Sequence, residues 1–184
     1  MTTVVLRDIA GYCPERALWQ LVADLCQEAQ GGFGDGRNLA PDGIIVDGDA
    51  FRLADDGQPE PAFLAPEHGG DGVDREAQLV WSIGALVCYA ATGRVIFGGN
   101  GSAYQLKHPQ VALPVLPKEH RRLTPLMQRC LCADPAQRIA LSELAAMARD
   151  GLAQCRTERP VRGDRMEERA CGSSNEKQWP ERMT

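Results

Sequence analysis

Residues 76–93 read EAQLVWSIGALVCYAATG and form the most apolar stretch of the chain. Its apolar side chains fall on one wide face of a helix: Leu79, Ile83, Leu86, Val87 and Ala90. A helix this apolar is usually central and buried, because too little of its surface is polar enough for solvent. Gly93 can end it. The stretch therefore predicts a buried helix from Glu76 to Thr92 at the centre of one domain.

Before this helix the sequence predicts one further helix and one hairpin. Pro14 is suited to the first turn of a helix. Apolar residues then repeat at helical spacing until the glycines after Gln30, at Leu18, Leu21, Val22 and Leu25. Two β-type runs, 43–46 and 50–53, flank an Asp-Gly pair, which is a strong hairpin signal. The predicted fold class is mainly α with one small β-hairpin.

After the central helix the pattern is less regular. Prolines and glycine pairs break residues 94–120, so this region is predicted to be irregular, with residues 98–101 as a flexible loop. A helix is predicted from Leu123 to about Cys132, and a last one over 142–153 with Ser142 as its N-cap. Residues 155–184 mix positive and negative charges. We therefore predict a domain at 1–154 and a disordered charged tail at 155–184.

Composition argues against several classes of protein. The 184 residues carry a net charge of -5 with a pI near 5.2, which disfavours a nucleic-acid partner or an anionic membrane. No apolar run reaches the roughly 20 residues that span a bilayer. Seven cysteines are present without a C-x-x-C pair. They predict reduced, packed thiols in a cytoplasmic protein, with no metal site.

Five short motifs carry more information in their order than any one of them does alone. They are GRNLAPDGII (36–45), FRLADDG (51–57), FLAPE (63–67), VWSIGALVCYAATG (80–93) and CLCADPAQRIALSEL (130–144). In this order they resemble the catalytic loop, the D-F-G strand, the A-P-E segment and the later helices of a protein-kinase C-terminal lobe. The resemblance implies that Glu67 and Arg138 form a buried ion pair and that Trp81 is a core residue.

The departures from the kinase pattern concern the chemistry. By the resemblance, Asn38 replaces the catalytic aspartate, and an amide cannot act as a carboxylate base. Gly43 replaces the asparagine that holds a magnesium ion, whereas Asp55 matches the D-F-G aspartate. Residues 55–57, Asp-Asp-Gly, can also be a polar turn without a metal-binding role, and we favour this interpretation.

Two further departures concern whole segments. Only QPEPAFL lies between Gly57 and Ala65, which is short for a peptide-binding activation segment and has no residue to phosphorylate. The 36 residues before Arg37 contain no lysine, so we expect no N-terminal β lobe in this fold.

This profile resembles the KIND domains, the kinase non-catalytic C-lobe domains. The opening residues fit loosely at Leu6, Ile9 and Trp19. The resemblance implies a pseudokinase without cofactor, which binds a protein or a peptide rather than a nucleic acid or a membrane. The alternative is a divergent protein kinase that keeps ATP and Mg²⁺ binding and transfers phosphate to serine or threonine. Asp55 is its direct support.

Overall fold

The computed structural model describes residues 3–32, 39–54, 58–72, 74–99, 101–113 and 115–157. These residues are mainly helical and include one two-stranded antiparallel sheet, as the sequence predicts. Short 3-10 turns link several elements. The helices and strands, in chain order, are α1 (Leu6–Ile9), α2 (Glu15–Gln30), β1 (Ile44–Asp47), β2 (Ala50–Leu53), α3 (Arg75–Thr92), α4 (Gly101–Lys107), α5 (Thr124–Cys130) and α6 (Leu141–Thr157).

The central helix α3 confirms the expectation for residues 76–92. Nearly every side chain from Val80 to Ala91 is buried. The helix begins where the Asp74 carboxylate accepts a hydrogen bond from the Glu76 amide at 2.9 Å, as an N-cap residue does. It ends at Gly93, whose φ of +68° is the left-handed conformation that suits glycine. Helices α2, α5 and α6 pack around it.

Helix α2 lies along α6, and both bury their apolar faces against the same core. The apolar stripe of α2 is fully buried: Leu18, Leu21, Val22 and Leu25. The contact with α6 is close at one point. A Cβ atom on Gly151 would lie 2.3 Å from the Trp19 ring, so only glycine fits there without a shift of the helices.

The hairpin joins α2 through a side chain. In the sheet Val46 pairs with Phe51, and the turn between the strands uses Gly48 at a φ of +61°. Asp24 of α2 accepts a hydrogen bond from the Phe51 amide at 2.9 Å. On the other side of β1, the Val46 amide donates to the Val4 carbonyl. The hairpin is thus held at both edges.

Three expectations from the sequence are corrected. Residues 94–120 are not wholly irregular: Gly101 opens α4 instead of lying in a loop, and Lys118–Leu123 is a 3-10 turn. Ser142 is not an N-cap, because α6 begins at Leu141, whose amide donates to Glu76 at 2.9 Å. Helix α6 also continues to Thr157, beyond the helix end expected at residue 153.

Of the tail expected at 155–184, residues 158–184 lie outside the described residues. None of the helices in the part that the structure describes is both long and apolar enough to cross a membrane.

Candidate functional site

The structure brings Glu67 and Arg138 together as a two-pronged ion pair. Arg138 Nη2 donates to Glu67 Oε2 at 2.8 Å, and Nη1 donates to Oε1. The Arg138 side chain is 1% exposed and that of Glu67 is 16% exposed. A planar guanidinium matches a carboxylate in this way, which makes the pair geometrically specific as well as strong.

Arg138 also donates to three backbone carbonyls. Its Nη1 reaches the Ala77 carbonyl at 2.9 Å, Nε the Cys132 carbonyl at 2.9 Å, and Nη2 the Ala133 carbonyl at 3.3 Å. With the two bonds to Glu67, all five N–H groups of the guanidinium are used. One side chain therefore joins the A-P-E segment, the first turn of α3 and the chain after α5.

A second buried polar contact holds Trp81. Its indole N–H donates to Gln105 Oε1 at 2.9 Å, and the Gln105 amide donates to the Leu131 carbonyl at 2.6 Å. Trp81 is fully buried and Gln105 is 2% exposed. The sequence did not predict the role of Gln105, because its helix α4 is short and has no clear apolar repeat. A lone glutamine there carries no signal of burial.

The glycine of the W-S-x-G motif has a packing reason. A Cβ atom on Gly84 would lie 2.6 Å from Cys130 Cβ and 3.2 Å from the Leu131 side chain. Only glycine at position 84 allows α3 to approach the end of α5 this closely. The motif residues Trp81 and Gly84 thus both serve the seam between α3, α4 and α5.

At the position where the kinase resemblance would place a metal-binding asparagine, the chain has Gly43, which carries no side chain. Gly43 is buried at the end of the 3-10 turn Pro41–Gly43, where its amide donates to the Ala40 carbonyl at 3.0 Å. Its own carbonyl accepts from the Ala54 amide at 2.8 Å. Both backbone groups of Gly43 are thus engaged within the turn and the hairpin. The other two degenerate positions, Asn38 and Asp55, lie outside the described residues.

The short segment before the A-P-E motif packs inward. It forms the 3-10 turn Pro61–Phe63, in which Ala62 and Phe63 are buried. The Phe63 ring meets Tyr89 of α3 edge to face, with ring centroids 5.4 Å apart. Such a pair is a favoured aromatic geometry. These buried contacts tie the segment to the core.

Arg7 links α1 to this region. Its Nε donates to Asp42 and its Nη2 to Glu60, both at 2.6 Å, and its guanidinium lies 5.9 Å from the Tyr89 ring centroid. The hydrogen bond to Asp42 is the main effect that raises the pKa of Arg7 above its ordinary value, and Glu60 adds to it. Arg7 thus holds the 41–43 turn and the 58–63 segment together.

The sequence predicts no metal site at the cysteines. Within the described ranges, no group of three His, Cys, Asp or Glu side chains is placed to hold a metal ion. Burial raises the pKa of the Cys13 and Cys88 thiols to about 11 and that of Cys26 to about 12. It raises the pKa of Cys130 as well. Cys132 and Cys155 are only half-buried.

These differences predict selective alkylation of the native chain. At pH 8 the buried thiols stay protonated, and the thiolate is the reactive form, so iodoacetamide should modify Cys132 and Cys155 well before Cys26 and Cys130. Peptide mapping by mass spectrometry measures the order. In urea, all seven cysteines should react at similar rates. Equal rates for Cys26 and Cys132 in the native chain would contradict the burial of Cys26 on α2.

Comparison with known proteins does not assign this chain to a family, because no family model and no curated protein matches it. The interpretation of its function therefore rests on the contacts described above.

Proposed function

We propose that this chain is a kinase-like C-lobe without phosphotransfer activity, similar to KIND domains, and that it binds a protein or peptide partner. The observation that carries the proposal is a contrast between two kinds of kinase position. The positions that would hold such a lobe together make specific contacts. Of the positions that would take part in metal binding, the structure describes Gly43, and this residue has no side chain.

The retained contacts support the kinase-like fold. Glu67 of the A-P-E match and Arg138 of the D-P-x-x-R match are 71 residues apart in sequence, and they form a bidentate pair next to the first turn of α3. Trp81 and Gly84 of the W-S-x-G match both lie in the core seam of that helix. The Glu67–Arg138 pair and the buried Trp81 are contacts that a kinase-like lobe would require, and they support the proposal.

The altered chemistry supports a binding role. Phosphoryl transfer depends on metal ions, on positioned phosphates and on an acceptor for the hydroxyl proton. Asn38 supplies no carboxylate, and Gly43 supplies no metal ligand. The 58–63 segment buries Phe63 against Tyr89, where a peptide platform would need exposed surface. A domain that keeps its architecture and loses this chemistry is suited to recognition of a partner.

Nucleotide titration tests the proposal against the divergent-kinase alternative. We expect isothermal titration of the full chain with ATP and Mg²⁺ to show no micromolar binding, because Gly43 offers no side chain to a metal ion that would hold the phosphates. A phosphotransfer assay with a generic serine/threonine substrate should likewise give no signal above buffer.

Asp55 supplies the variant that separates the two proposals, since it alone keeps the D-F-G carboxylate, and Asp49 supplies the matched control. The Asp55→Ala variant should behave like the wild type in both assays. Nucleotide binding at micromolar concentration, lost in Asp55→Ala and kept in Asp49→Ala on the hairpin turn, would overturn the proposal and establish the kinase alternative.

A further inference from the structure

We draw no further inference here: the strongest candidate, the cluster of Glu15, Arg122 and Cys155 where the start of α2, the 3-10 turn Lys118–Leu123 and the end of α6 meet, rests on a single cysteine, and no second observation in the described part of the chain points to a ligand there.

Discussion

Replacing Arg138 by alanine should lower the free energy of unfolding by about 3–5 kcal/mol, the typical cost of removing one partner of a buried ion pair. The loss is large because Glu67 would keep a largely buried charge without its partner, and the carbonyls of Ala77, Cys132 and Ala133 would lose a donor. Urea denaturation of the full chain measures the change as a shift of the midpoint at constant slope. Arg138→Lys should recover only part of the loss, because an ammonium cannot form the bidentate contact.

The matched control is Arg129→Ala. Arg129 makes an ion pair of the same residue types with Glu143, but both side chains are about half exposed. Exposed ion pairs add little to stability because solvent screens them, so this variant should unfold near the wild-type midpoint. Equal midpoints for the two alanine variants would show that the Glu67–Arg138 pair does not organise the domain.

Replacing Gly151 by alanine should destabilise the chain by about 1–3 kcal/mol, as inserted groups do in a packed core. Helix propensity alone predicts the opposite, a gain of about 1 kcal/mol for alanine over glycine inside a helix. The structure decides the sign, because the new Cβ atom would lie 2.3 Å from the Trp19 ring and α2 and α6 would have to separate. The same denaturation experiment measures it.

A double-mutant cycle with Trp19→Leu isolates the contact. In the Trp19→Leu background, Gly151→Ala should lower the free energy of unfolding much less, or even raise it, because the smaller leucine side chain leaves room for the added methyl group. Asp150→Ala, at an exposed neighbouring position of α6, should change stability by less than about 0.5 kcal/mol. If Gly151→Ala is stabilising in the wild-type background, the close packing of α2 on α6 is wrong.

The periodic elements of this chain could be predicted from their residues. The apolar stretch from Leu79 to Ala90 predicts α3 because a helix without a polar face has to be buried. The stripe from Leu18 to Leu25 predicts α2 and its end before the glycines, and the Asp-Gly pair predicts the hairpin turn at Gly48. Each of these signals lies within a few residues of the element that it specifies.

The seams between elements could not be predicted in the same way. Gln105 is buried because α4 places it between Trp81 and the Leu131 carbonyl, and no neighbour in sequence indicates this. The start of α6 is set by Glu76, 65 residues earlier, rather than by the adjacent Ser142. The stacking of the Phe97 ring on Tyr104 likewise depends on how the turn before α4 folds.

The sequence by itself determined the helices α2 and α3, where the described hairpin turns, and which motif residues invite comparison with a kinase lobe. Those features depend on local periodicity and on the conformational preferences of proline, glycine and aspartate. Only the tertiary structure decided that Arg138 uses all five of its donors, that Gly84 and Gly151 allow helices to touch, and that Gln105 joins Trp81 to the Leu131 carbonyl. These depend on distances between residues far apart in the chain, which are set when the core packs to crystal-like density.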